Sequence, residues 1–129
     1  FEPISTDLMI PSMGQATLGI ETTTDPKIVE LISVLNDKDA QIESTIERSF
    51  VHTLEGGCQV PIGVKATITN ENSVRVQAIV GMPDGSESIS EEITADINNY
   101  ENVGQALAQT FIDQGAKDLL ERAEKVAFK

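Results

Sequence analysis

Cys58 is the single cysteine of the chain, and it stands in the run Leu54-Glu55-Gly56-Gly57-Cys58-Gln59-Val60-Pro61-Ile62-Gly63. Two residues without side chains precede it and a proline follows. Adjacent glycines let the backbone take positive φ and let a bulky group approach the main chain, while Pro61 fixes the direction in which the chain leaves. A thiol presented this way suits covalent chemistry, because its thiolate is a soft nucleophile. The competing reading is a buried, inert cysteine acting as a small hydrophobe, the ordinary fate of a free thiol. His52, six residues before Cys58, invites a Cys-His dyad. It falls within a helical pattern, however, and no orienting third partner is evident, so it reads as a surface or cap residue. One cysteine and one histidine fall short of the four ligands of a structural zinc site, and no glycine loop of the P-loop or dinucleotide kind is present.

Three further stretches carry a pattern. They are Met9-Ile10-Pro11-Ser12-Met13-Gly14-Gln15-Ala16-Thr17-Leu18-Gly19-Ile20-Glu21, Glu47-Arg48-Ser49-Phe50 and Gly81-Met82-Pro83-Asp84-Gly85. Together with the cysteine run, and in this order, they resemble segments of the porphobilinogen deaminase (hydroxymethylbilane synthase) family. The first resembles its Gly-Gln-Gly and Leu-Gly-Ile-Glu segment, the second its Glu-Arg-Ala-Phe helix, and the third a later hairpin turn. The likeness runs from about Leu8 to Leu120. Family members are more than twice this length, in three domains, and the match is to the last part. The resemblance therefore implies a C-terminal fragment, beginning at Phe1 without an initiator methionine.

On that resemblance Cys58, beside Gly57, anchors a covalent dipyrromethane cofactor, and Gln15 lies near the polypyrrole pocket; a structural amide is the other reading of Gln15. The implied reaction is a transferase reaction: porphobilinogen loses ammonia, and the electrophilic methylene-pyrrole is captured first by the Cys58 sulfur as a thioether and then by successive pyrroles, giving hydroxymethylbilane from four additions. The family's catalytic aspartate belongs to its first domain, and the arginines that cradle the substrate's carboxylates belong mainly to the first two. No catalytic residue is assigned to this chain, and it is expected to be inactive alone, with a free thiol at Cys58. Asp84, in a hairpin turn, reads as a turn former. Two departures stand out: Ala16 replaces the motif's second glycine, and Thr22 and Thr23 stand where the family often has an arginine. The rival reading is a non-enzymatic interaction module of the same fold, with a structural Cys58.

Composition agrees with a soluble globular domain. The chain has 129 residues, 40% of them hydrophobic and 23% charged, enough to bury a core in one domain. No apolar stretch approaches the roughly 20 residues that cross a membrane. A net charge of −12 argues against nucleic acid, which calls for a basic patch. One cysteine allows no internal disulfide, which is compatible with the cytoplasm.

The expected fold is α+β: a three-stranded antiparallel sheet covered on one face by helices, preceded by an orphaned strand and helix. Residues 1–36 are expected to trail from a preceding domain and residues 37–129 to form the cofactor-attachment domain. Ala16 to Thr23 reads as a strand. Asp25 and Pro26 open a helix with Ile28, Leu31, Ile32 and Leu35 on one face, ending near Asn36. Its apolar face lacks a partner, which predicts exposed hydrophobic surface and self-association or repacking. A second helix, Ala40 to Leu54 with Asp39 as cap, stacks Ile42, Ile46, Phe50 and Leu54. Alternating Ile62, Val64, Ala66 and Ile68, then Val74, Val76, Ala78 and Val80, mark two strands, and Glu87 to Ala95 a third with Ile89 and Ile93 inward. Asn98 with Glu101 resembles a capping box opening a helix with Val103, Ala106, Leu107 and Phe111 inward. Gly115 ends it, and Ala116, Leu119, Leu120 and Ala123 face the core from a last helix.

Overall fold

Period-two alternation in three successive runs folds into an antiparallel meander, β1 (Ile62–Asn70), β2 (Ser73–Gly81) and β3 (Ser88–Asp96), in the order β1-β2-β3. The computed structural model describes residues 2–54 and 61–127. The register sets Val64 opposite Ala78 and Ala66 opposite Val76, then Val76 opposite Ile93 and Val80 opposite Ile89. The apolar positions of all three strands therefore share one face. Glu91 is also on that face, opposite Ala78, and its carboxylate accepts a 2.6 Å bond from Gln114 Nε2. This bond accounts for a charge in an otherwise apolar row on the outer strand.

Helices α2 (Lys38–Thr53), α3 (Tyr100–Asp113) and α4 (Ala116–Ala127) cover this face. α2 contributes Ile42, Ile46 and Phe50, with Leu54 just past its end, α3 Val103, Leu107 and Phe111, and α4 Leu119 and Leu120, all buried. Phe50 and Phe111 meet edge to face, with centroids 5.1 Å apart and rings at 84°, the arrangement that aromatic quadrupoles favour. α2 and α3 approach closely at Gly104, where a Cβ would meet the Ile46 carbonyl and lie 2.9 Å from Phe50 N and Ser49 Cβ.

Several elements depart from the expected outline. Ala16 to Thr23 forms no strand: it is irregular, with Leu18 93% exposed. A strand requires a partner for its backbone groups, and among the described residues none pairs with it. The first helix, α1 (Pro26–Ser33), has the expected Asp25 cap, which accepts from Lys27 N, but ends before Asn36 at Val34. None of its residues is buried, and Leu31, Val34 and Leu35 are exposed. α2 is capped by Asp37, whose carboxylate accepts from Asp39 N and Ala40 N at 2.9 and 3.0 Å. The helix thus begins two residues before the predicted start at Ala40. The Asn98 capping box does not form. Asp96 instead accepts from Asn98 N, opening a 3-10 turn (Ile97–Asn99) that leads into α3. Ala106 is exposed, and Gly104 and Ala108 take the core positions.

Gly104→Ala should destabilise the fold by about 2 kcal/mol, since backbone and not a flexible side chain blocks the added methyl. Urea denaturation checks this, and an unchanged midpoint would mean that α2 and α3 can separate freely.

Candidate functional site

An edge strand leaves every second N–H without a strand partner, and on β1 these groups include those of Val64, Ala66 and Ile68. Each of these three is satisfied by a different group. Val64 N donates to the Pro11 carbonyl at 2.9 Å, Ala66 N to Glu47 Oε1 at 3.0 Å, and Ile68 N to Glu43 Oε1 at 3.0 Å. Glu43 and Glu47, four residues apart on α2, lie on one helix face and reach the strand together. Lys65 completes the cluster, donating from Nζ to Glu43 at 3.0 Å and Glu47 at 3.3 Å. Burial works against its ammonium, but the bond to Glu43 and the charge of Glu47 outweigh it and raise the Lys65 pKa above its ordinary value.

Glu47 is only 2% exposed, and its second oxygen accepts from Gly14 N at 2.7 Å. This bond docks the segment that carries Gln15. Gln15 N donates to Ser12 O and Thr17 N to Gly14 O, two tight turns in succession, and Gly14 and Ala16 both sit at positive φ, 69° and 68°. Ala16, where the family motif has glycine, thus occupies the left-handed region that a glycine would enter without strain. Gln15 itself is exposed, and its side-chain Oε1 accepts from Ser12 Oγ at 3.3 Å.

Cys58 and Gly57 lie outside the described residues, and the structure places only their flanks. On entry, Leu54 is buried at 2% exposure, with its N–H on the Phe50 carbonyl. On exit, Pro61 O accepts from Gly81 N at 3.1 Å, extending the pairing of β1 with β2 back by one residue. Immediately beyond, Gly63 packs against Ile10, whose carbonyl a Cβ there would meet at 2.8 Å. The Gln15 segment and the exit of the cysteine run therefore converge at the start of β1. An open groove of about 380 Å³ adjoins this point, lined by Ile10, Pro61, Ile62, Gly63, Ile79 and Met82 among others. His52 is exposed on the last turn of α2.

The outer face of the sheet holds the start of the chain by charge. Arg75 Nη2 contacts Asp7 at 2.8 Å and Glu92 at 2.7 Å, and Gln77 Nε2 reaches the same Asp7 oxygen at 3.2 Å. The bond from Arg75, then that from Gln77, hold the Asp7 carboxyl below its ordinary range. Arg122 forms a two-pronged pair with Glu87, at 2.8 and 3.0 Å, and a further contact with Asp118. Two of the three arginines are thus committed to carboxylates of this chain, while Arg48 is exposed on α2. Asp84 accepts from Ser86 N and Ser86 Oγ, at 3.0 and 2.7 Å, within its hairpin turn.

The Glu43-Glu47-Lys65 cluster was not read from the sequence. One signal for it exists: Glu47 interrupts the apolar face of α2 between Ile46 and Phe50, where an acid has no reason to be unless something buried donates to it.

Ala16→Gly should raise stability by about 0.5 kcal/mol, relief of left-handed strain being partly offset by the freer unfolded chain; a lowered urea midpoint would contradict it. A carboxyl whose folded pKa is depressed adds stability above its unfolded value and loses it as pH falls through the folded value. The Asp7 tether should therefore persist at pH 5 and release only below the ordinary value of 3.8. Carboxyl NMR titration should show this, with Arg75→Ala returning Asp7 toward 3.8.

Comparison with known proteins gives these segments a common context. A family model described as the porphobilinogen deaminase C-terminal domain matches residues 41–113. The porphobilinogen deaminase of Aliarcobacter butzleri is 79% identical over 129 residues, 100% of this chain and 41% of that relative. That of Helicobacter hepaticus is 55% identical over 127 residues, covering 95% of this chain and 39% of the relative. That of Campylobacter curvus is 50% identical over 125 residues, 97% and 40% respectively. The chain thus spans about 40% of the length of the curated relatives it matches. With a family model over more than half its length and such identity end to end, the chain belongs to the porphobilinogen deaminase family and carries its C-terminal domain.

Proposed function

We propose that this chain works as the C-terminal part of a porphobilinogen deaminase, a cytoplasmic transferase that condenses four porphobilinogen molecules into hydroxymethylbilane on a dipyrromethane group thioether-linked to Cys58. The observation that carries this reading is the convergence at the start of β1: the Gln15 segment and the exit of the Cys58 run, far apart in sequence, meet at Ile10, Pro11, Gly63 and Val64.

The residues present fit such a group in part. A single thiol stands on a run flanked by the buried Leu54 and by Pro61, whose carbonyl is bonded to β2, and Cys58 would hold the group by one covalent bond. When bound, the group supplies the primer from which the polypyrrole grows. Gln15, exposed on its turn, offers a carboxamide that can donate to a carboxylate or accept from a pyrrole N–H. The polypyrrole's carboxylates call for arginines, and Arg75 and Arg122 already serve Asp7, Glu92, Glu87 and Asp118. The cradle and the acid-base carboxylate therefore come from the rest of the longer protein. Residues 1–36 then trail from the preceding domain, with Asp7 to Gly14 docked on the sheet. In the isolated chain the exposed face of α1 drives self-association, and neither nucleic acid nor membrane is a partner.

Denaturing intact-mass analysis of the full-length protein tests this directly. A dipyrromethane-sized adduct, missing from Cys58→Ser, is the expected result, alongside no turnover of porphobilinogen by the isolated chain. A folded, unmodified wild-type protein would favour a non-enzymatic module in which Cys58 is structural.

A further inference from the structure

We infer that Glu47 is a positioning residue that sets the place of Gln15 for the polypyrrole, an inference that rests on the function proposed above. Its carboxylate accepts three donors of different origin: Gly14 N at 2.7 Å, Ala66 N at 3.0 Å and Lys65 Nζ at 3.3 Å. Two are backbone amides that cannot rotate away, so both oxygens must be acceptors. A glutamine would aim its NH2 at one of the two amides, donor against donor. The site therefore selects a carboxylate in particular, not merely a polar side chain of that size.

The place of the bond along the chain gives it its consequence. Upstream, the segment is held by Asp7 on Arg75 and by the Pro11 carbonyl on Val64. Gly14 on Glu47 comes next, and among the described residues it is the last hydrogen bond from this segment to the domain, since those of residues 15–25 are local. Gln15 follows at once, between two left-handed residues. Without the bond, its turn would swing from Pro11 with no further anchor. Ala16 adds to that demand, because a strained residue stays in place only when its surroundings hold it there.

Glu47 also sits on the helix that delivers the chain to Cys58. Seven residues separate it from Leu54, about 10 Å along the axis at the α-helical rise. One rigid element thus spaces the Gln15 turn from the start of the cysteine run, and Glu47 fixes the turn to that element.

The test uses the full-length enzyme with Gln15→Ala, Glu47→Gln, the double variant and Glu47→Asp. If Glu47 acts through Gln15, each of the first two raises KM for porphobilinogen on the order of tenfold with kcat changed less, the scale of one lost charge-assisted hydrogen bond. The double variant is then no worse than the more affected single one. Glu47→Asp keeps both acceptors but withdraws them by one methylene, and should show a smaller KM increase in the same direction, even if Glu47→Gln fails to fold. In the Asp variant the Gly14 amide should also exchange faster while Val76, on the central strand, keeps its protection. Multiplying effects in the double variant, an unchanged KM in Glu47→Asp, or loss of protection spread equally to Val76 would each overturn the inference and reduce Glu47 to a structural role. A wild-type enzyme that does not consume porphobilinogen would overturn the proposed function itself, and this inference with it.

Discussion

A buried carboxylate is costly unless several donors converge on it, and around Glu47 three do. Through it the edge of the sheet, the helix α2 and the docked N-terminal segment become one unit. Glu43 repeats the device one turn earlier with Ile68 N and Lys65. The pair answers a standing hazard of any open sheet, the row of unpaired amides on its edge, with two side chains of a helix and one carbonyl of a loop. Such charge-assisted bonds are stronger than neutral ones. They hold α2 in register along β1, which apolar packing alone would leave free to slide.

Against that fixed edge the rest of the core has little freedom. α2 presents Ile46 and Phe50 to the sheet, and α3 closes on α2 because Gly104 lets the Ile46 carbonyl come within contact. Phe111 then reaches the edge of Phe50. α4 completes the cover with Leu119 and Leu120. The outer face of the sheet is polar, and there Asp7, Arg75 and Glu92 hold the start of the chain by charge. The two faces thus work by different physics: burial of apolar area on one, and solvent-screened ion pairs of small individual worth on the other.

The N-terminal part of the chain shows what happens where such a constraint is missing. α1 has a good cap and a proline at its start, which favour a helix locally. Its apolar residues nevertheless remain exposed. Between Gly14 and α1 the alternation of Thr17, Leu18 and Ile20 produces no strand, because alternation specifies which side a residue faces and not whether a partner exists.

The sequence by itself determined the meander, its inward rows, the existence of the helices and the large apolar residues that α2, α3 and α4 bury, since these follow from periodicity within short windows. It also showed the family through ordered motifs, and pointed to Gln15, Gly57 and Cys58. The last two lie outside the described residues, so only the anchoring of their flanks is structural. Tertiary structure decided what depends on competition or on distant partners. Asp37 prevailed over Asp39 as a cap, and Asp96 over Asn98, because several acids and amides near each helix start could serve and the surrounding packing chose which N–H groups were left over. Gly104 and Ala108 displaced Ala106 from the core because a close helix crossing favours small residues on the contacting side. The surroundings of Glu47 were settled only in three dimensions: its donors come from residues 14, 65 and 66, and no spacing along one chain shows that a loop amide, a strand amide and a lysine ammonium will converge on one helix carboxylate.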